Sequence, residues 1–109
     1  MAEQNDPWFS VEAQGVDSDH PIVFVRGEVD IVSAPDLSPL VAEIVKNGPH
    51  SLVIDLSGTT FMGAAGVRII ADARRVMPEG CPIILRRPTP FIRKVLEITG
   101  MDEICVIED

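Results

Sequence analysis

Few residues in this chain have the type and spacing that catalysis needs. The two histidines, His20 and His50, fall in a predicted loop and just before a predicted strand, and neither belongs to a recognisable motif. Functional groups of parallel α/β sheets sit at the opposite, carboxyl ends of the strands. Asp55 lies at such an end, but no second carboxylate is placed to pair with it, and a lone Asp there commonly caps a turn. We therefore predict no catalytic residue and no enzymatic activity.

Sequence motifs for cofactors and metals are also missing. The chain has no glycine-rich phosphate loop ending in Lys-Ser/Thr, no G-x-G-x-x-G and no G-x-S-x-G. Its two cysteines, Cys81 and Cys105, lack the spacing of metal ligands and are too few for a disulfide framework. We expect them to be small buried apolar residues. The sequence thus predicts neither a cofactor nor a metal site.

The distribution of charge limits the kinds of partner. The formal net charge is −8, and it lies entirely in residues 1–55, whereas residues 56–109 sum to zero. An acidic half repels nucleic acid and anionic membranes, and it suits a partner with a basic surface. No apolar run could span a bilayer, and residues 1–6 are polar and acidic, unlike a signal peptide. We expect a cytoplasmic protein with a flexible segment 1–6, no nucleic-acid partner and no membrane insertion.

Hydrophobic patterning predicts five strands and three helices. The predicted strands cover residues 8–13, 22–29, 52–56, 82–85 and 104–107. The first helix begins near Ser33 or Asp36, the second covers residues 64–77, and the third is capped by Thr89 and ends at Gly100. The order β-β-α-β-α-β-α-β indicates a single α/β domain with a mostly parallel sheet and crossover helices.

The second and third helices have distinct apolar faces. The residues expected to face inward are Ile69, Ile70, Ala73, Val76 and Met77 in the second helix, and Phe91, Ile92, Val95 and Leu96 in the third. Arg68, Asp72 and Arg75 lie on the opposite face of the second helix, which we expect to be solvated.

The segment between the third strand and the second helix is unusual in composition. We predict that the strand ends at Leu56 and is followed by a polar turn with three hydroxyl groups, on Ser57, Thr59 and Thr60. Four small residues, Gly63, Ala64, Ala65 and Gly66, then open the helix. Small side chains leave the first amides of a helix uncovered, with a partial positive charge. The segment fits a docking surface for another protein, and it equally fits tight packing of the helix against its own sheet.

Several short motifs resemble those of the STAS domain, and more narrowly of the bacterial anti-sigma factor antagonists. They are R-G-E-V-D at residues 26–30, D-L-S-G at 55–58, F-M at 61–62 with Gly66, and the proline-led helix of residues 88–100. The resemblance implies one STAS domain over residues 1–109, with a core at about 8–107. It implies a protein that binds a kinase-type, ATP-binding anti-sigma factor and so frees a sigma factor.

The resemblance also implies where that partner binds. The family's contact surface includes the loop after the second strand, here residues 27–33, and the start of the second helix. Asp30 matches the acid of the family's G-E-[LIV]-D motif and is expected to contact the partner. Gly63, Ala64, Ala65, Gly66 and Arg68 complete the predicted partner-binding residues.

The chain departs from the family pattern in two places. The family typically has D-S-S-G or D-S-[AT]-G where this chain has Gly63-Ala64-Ala65-Gly66, and the serine that the cognate kinase phosphorylates corresponds to Ala64. We therefore expect no phosphorylation switch at this position, and whether Ser57, Thr59 or Thr60 serves as a substitute acceptor is left open by the sequence. The family's C-terminal helix is also expected to be absent, which leaves a sheet edge for a partner or a homodimer mate.

Other functions and controls remain open. Cys81 and Cys105 could form a redox pair if their Cα atoms lie within about 7 Å. A STAS accessory subunit of a transporter ATPase, or a signalling scaffold, would use the same fold and a similar surface. A third alternative is a nucleotide- or small-ligand-binding domain that uses the helix start at Gly63 as an anion site.

Overall fold

The computed structural model describes residues 8–109 as an α/β domain with five strands and four helices in that part of the chain. The strands are β1 (Phe9–Gln14), β2 (Ile22–Val29), β3 (Leu52–Met62), β4 (Ile83–Arg86) and β5 (Val106–Glu108). The helices are α1 (Ala34–Lys46), α2 (Ala64–Val76), α3 (Pro90–Thr99) and α4 (Met101–Ile104). The expected flexible segment 1–6 lies outside the described residues.

The five strands form one sheet in the order β1-β2-β3-β4-β5. β1 is antiparallel to β2, and the three remaining pairs are parallel. The predicted α/β class, with a mostly parallel sheet, is therefore confirmed. α4 was not predicted, because the last strand was expected to begin at Ile104, whereas Ile104 ends α4 and the strand starts at Val106.

The predicted end of β3 at Leu56 is wrong. The strand continues to Met62 and stays paired with β2 through two register shifts, so no polar turn exists. Thr59 is fully buried, and its hydroxyl donates to the carbonyl of Val25 at 2.7 Å. Pairing with β2 satisfies the polar backbone of this stretch, and that partner is distant in sequence.

The close contact of β1 with β2 requires a glycine at position 27. Gly27 has φ +92°, and a Cβ atom there would lie 1.9 Å from the carbonyl oxygen of Trp8. The next residue, Glu28, donates its amide to that same carbonyl at 2.8 Å. Only glycine permits both the left-handed backbone and this approach. The glycine of the R-G-E-V-D motif, Gly27, is thus explained by the close approach of Trp8, which immediately precedes the edge strand.

The helices pack as their sequence patterns predict, with two exceptions. Ile69, Ile70, Ala73 and Met77 of the α2 region are buried, as are Ile92 and Leu96 of α3. Val76 and Phe91 were expected to face inward and are exposed instead. Val76 lies in the last turn of α2, beside a groove towards α1, and Phe91 lies in the first turn of α3 against another aromatic ring. Both positions fall at helix ends, where among residues 8–109 the neighbouring elements cover them only in part.

The start of α1 is held differently from the prediction. The helix begins at Ala34 with Ser33 as its N-cap residue, and the Ser33 side chain makes no capping hydrogen bond to the helix amides. The Ser33 hydroxyl instead donates to the carbonyl of Glu28 at 2.7 Å. The side chain of Ser33 therefore stabilises the loop that precedes α1 rather than the helix itself.

Candidate functional site

The loop between β2 and α1 is organised by Asp30. Its Oδ1 atom accepts hydrogen bonds from the backbone amides of Val32 at 2.9 Å and Ser33 at 3.0 Å. These bonds hold the pKa of the Asp30 carboxyl below its usual value, and the bond from the Ser33 amide has the largest effect. The loop consequently turns Ile31 and Val32 outward, where they are 82% and 74% exposed. Adjacent aliphatic side chains this exposed are typical of a surface that meets another protein.

The start of α2 lies directly beside that loop. Gly63 donates its amide to the carbonyl of Val29 at 2.9 Å, which fixes the helix start against the end of β2. Its own carbonyl accepts the amides of Gly66 and Val67, so Gly63 is the N-cap residue and has no side chain to cap the helix. The amides of Ala64 and Ala65 precede the first intrahelical bonds. Ala64 is exposed at this end of the helix.

Gly66 has a packing role rather than a contact role. It is buried, and a Cβ atom there would lie 2.8 Å from the Cγ atom of Met62 and 2.8 Å from the Cγ1 atom of Val29. Of the two explanations left open for the small residues, tight packing therefore holds for Gly66. Ala64 and the half-buried Ala65 remain available to a partner.

An aromatic pair on the other side of the α2 start was missed by the sequence analysis. The rings of Phe61 and Phe91 are stacked, with centroids 6.4 Å apart, and both side chains are exposed. Phe61 also borders Gly63, since its Cε2 atom would lie 3.3 Å from a Cβ atom at that position. The signal in the sequence was the Phe61-Met62 pair at the end of β3, of which only Met62 is buried.

Together these residues form one apolar surface around the start of α2. We call it the docking surface and define it by Ile31, Val32, Phe61, Ala64, Ala65 and Phe91. A cavity of about 380 Å³ opens at its edge and is lined in part by Ile31, Ala65 and Arg68. The Nε atom of Arg68 lies 4.0 Å from the Asp72 carboxylate, and its side chain is largely exposed. The structure thus brings Asp30, Ala64, Ala65 and Arg68 to one side of the molecule.

Asp55 lies inside β3 rather than at the predicted strand end, and its carboxylate is held by neighbouring side chains. It is 2% exposed and accepts hydrogen bonds from the Ser57 hydroxyl at 2.6 Å and the Ser57 amide at 3.0 Å. Arg87 reaches its other oxygen at 3.2 Å. Burial alone would raise the pKa of Asp55, but the hydrogen bonds from Ser57 and the Arg87 guanidinium outweigh it and lower the pKa below 3.8.

The histidines lie at the opposite, amino-terminal edge of the sheet. His20 Nδ1 shares a hydrogen bond of 2.8 Å with the Ser51 hydroxyl. The Asp19 carboxylate lies 3.8 Å from the Nδ1 atom of His50 rather than beside His20. Ser51 is buried, so the serine and histidine close the edge of the sheet instead of facing a cleft.

The cysteine thiols and the potential metal ligands add little chemistry to the described residues. Both thiols are free, and burial raises the pKa of Cys105 to about 11, so Cys105 is a neutral thiol near pH 7. Within residues 8–109, no group of three or more His, Cys, Asp or Glu side chains could hold a metal ion. The same residues include no helix with the length and apolar character needed to cross a membrane.

Comparison with known proteins assigns the family. Residues 10–109 match the STAS domain, so the chain belongs to the STAS domain family. It is 27% identical to the anti-sigma-F factor antagonist RsfB of Mycobacterium tuberculosis over 82 residues, which are 75% of this chain and 67% of that protein. It is 29% identical to the anti-sigma-B factor antagonist of Listeria monocytogenes over 102 residues, 92% of this chain and 89% of that protein.

Solved structures agree with this assignment. A crystal structure of an anti-sigma factor antagonist from Mycobacterium paratuberculosis superposes with a TM-score of 0.80 at 27% identity, covering 99% of this chain and 90% of that one. The anti-sigma factor antagonist SpoIIAA in its unphosphorylated form superposes with a TM-score of 0.73 at 18% identity, which shows the shared fold. The STAS resemblance inferred from the sequence motifs is confirmed.

Proposed function

We propose that this chain is an anti-sigma factor antagonist, which binds a kinase-type, ATP-binding anti-sigma factor through the docking surface and so frees a sigma factor. It acts by occupying a surface of its partner and performs no chemical step. The observation that carries the proposal is the pair of exposed aliphatic residues, Ile31 and Val32, beside the open start of α2. Several relatives of this chain are named anti-sigma factor antagonists, which supports the same function.

We further propose that this chain stays able to bind its partner at all times, because phosphorylation at the start of α2 does not switch it off. A phosphate at the first residue of α2 would place nearly two negative charges among apolar side chains of the docking surface, and a partner could not bury them without a large desolvation cost. Ala64 has no hydroxyl group to accept a phosphate. The chain consequently keeps its apolar contact surface in the presence of ATP and an active kinase.

The test is a binding measurement with charged substitutions on the docking surface. Calorimetric titration of purified kinase-type anti-sigma factors first identifies the one that the parent protein binds. We expect Ile31→Asp to weaken that complex at least about tenfold, or about 1.4 kcal/mol, because it places a charge in an apolar contact. Ile98→Asp is the matched control. Ile98 is 76% exposed and lies in α3 two turns after Phe91, so it is outside the docking surface. Equal affinities of the parent and the Ile31→Asp protein would exclude the docking surface as the binding site.

A second pair of variants separates the two roles of Asp30. Asp30→Asn keeps an oxygen that can accept the amides of Val32 and Ser33, but it removes the negative charge. Asp30→Lys removes both. If the carboxylate contacts the partner, both variants bind weakly. If Asp30 only holds the loop in shape by accepting its amides, the lysine variant binds weakly and the asparagine variant binds as the parent does.

A further inference from the structure

A groove between α1 and α2 continues from the docking surface. Its wider part is a cavity of about 540 Å³, and the side chains that form its walls include Val41, Ala42, Val45, Ala73 and Val76. The smaller cavity beside Ile31 shares Ser38, Ile69 and Asp72 with it. Because the two cavities share lining residues, they form one passage from the docking surface to the carboxyl ends of both helices. We call this passage the interhelical groove.

The groove is apolar and incompletely filled. Ala42, Gly48 and Ala73 are small, so the side chains of the two helices leave space between them. Val76 borders that space and is 62% exposed, although it lies in a helix whose neighbouring apolar residues are buried. The volume lies within the range of about 300–1,000 Å³ that is usual for sites that bury a ligand group. An apolar side chain from outside would therefore remove Val76 and the groove walls from water.

The charged side chains along the groove differ in whether they form ion pairs. Asp72 is held by Arg75, 2.9 Å from its carboxylate, and by Arg68 at 4.0 Å. Lys46, at the far end beside Gly48, has no ion-pair partner among residues 8–109. An occupant of the groove would thus find aliphatic walls along most of its length and one unpaired cation at the end.

We propose that the interhelical groove receives an apolar segment of the same anti-sigma factor that covers the docking surface, with an acidic group of that segment against Lys46. This inference rests on the proposed function. Continuity identifies the occupant, because Ile31 and Ala65 border both the docking surface and the entrance of the groove. A partner seated on Ile31 reaches the groove past Ile69 and the polar side chains of Ser38 and Asp72, which line both cavities.

The experiment uses the full chain and the anti-sigma factor that the parent binds. Val76→Asp places a charge in the groove at an exposed position, and Ala42→Phe fills the groove from an exposed position on α1. We expect each variant to lower the affinity at least tenfold while the midpoint of thermal unfolding stays unchanged. Ile98→Asp is again the control, with no change in affinity. Lys46→Glu should weaken the complex more at low salt than at high salt.

The outcomes separate this inference from the proposed function. If Ile31→Asp weakens the complex while Val76→Asp and Ala42→Phe bind as the parent does, the partner docks without the groove, and the inference is overturned while the function stands. If no kinase-type anti-sigma factor binds the parent, the proposed function fails and the groove assignment fails with it. If the parent alone sediments as a dimer that Val76→Asp dissociates, the occupant is a second copy of this chain and the inference is overturned.

Discussion

Ala64 presents a methyl group at the first position of α2, the position that the family resemblance predicts to match the phosphorylated serine. The structure also limits the substitute acceptors that the sequence left open. Thr59 is fully buried and its hydroxyl is bonded to the carbonyl of Val25, so a kinase cannot reach it without opening the sheet. Ser57 is exposed but donates its hydroxyl to the negatively charged Asp55. A phosphate on Ser57 would be repelled by that carboxylate.

We predict that the parent protein gains no phosphate between residues 57 and 66 when it is incubated with its kinase-type partner and ATP. Ala64→Ser restores a hydroxyl at an exposed position and serves as the positive control, and we expect it to gain one phosphate. Intact-mass spectrometry followed by peptide mapping measures both results. A phosphate located within residues 57–66 of the parent would show that the binding state is switched by another route.

At the scale of elements, the position of α2 depends on how closely it approaches the sheet. Gly66 packs against Val29 of β2 and Met62 of β3, and it brings the first turn of the helix to the ends of both strands. The same approach allows the amide of Gly63 to bond to the carbonyl of Val29. The spacing between Ile31 and Ala64 on the docking surface is therefore set by a glycine beneath it.

We predict that Gly66→Ala destabilises the protein although alanine is the better helix former by about 1 kcal/mol. The added Cβ atom would lie 2.8 Å from two side-chain carbons, and overpacking of this kind costs about 1–3 kcal/mol. Urea unfolding of Gly66→Ala, Val29→Ala and the double variant measures the effect. Because Val29→Ala removes one of the two clashing atoms, the double variant should lose less stability than the sum of the single variants. Additive losses would mean that the helix moves away instead.

At the scale of the whole molecule, a network of hydrogen bonds and an ion pair around the buried carboxylate of Asp55 joins strands across the sheet. Asp55 of β3 is bonded by Ser57 and paired with Arg87, which follows β4. The amide of Arg87 in turn donates to the carbonyl of Glu108 in β5 at 2.6 Å. This network connects the centre of the sheet to its edge strand, so its protonation affects the unfolding of the whole domain.

We predict that Asp55→Asn lowers the free energy of unfolding by about 1–3 kcal/mol near neutral pH, because charged hydrogen bonds and an ion pair are lost. The pKa of Asp55 is lowered in the folded protein, so its contribution is fully present above the unfolded value of 3.8 and is lost as the pH falls through the lower folded value. Urea unfolding of the parent and the variant should therefore converge under strongly acidic conditions. A difference that does not change with pH would show that packing, rather than charge, accounts for the loss.

Several features of this protein are fixed by residues close together in the sequence. The α3 helix begins and ends as predicted, since Thr89 accepts the amide of Ile92 three residues on and Gly100 adopts φ +78°. The order of the elements other than α4, and most of the buried helix positions, follow from local periodicity in the same way. The absence of a side-chain hydroxyl group at position 64 is also fixed by the sequence alone.

Other features depend on residues that are far apart in the chain, and only the tertiary structure decided them. The continuation of β3 to Met62 depends on β2 lying alongside, and the exposure of Val76 depends on the space left between α1 and α2. The Phe61–Phe91 pair and the interhelical groove likewise join segments about 30 residues apart. A strand needs a partner for its backbone, and a side chain is exposed or buried according to what packs on it, so neither property is fixed by local residue types.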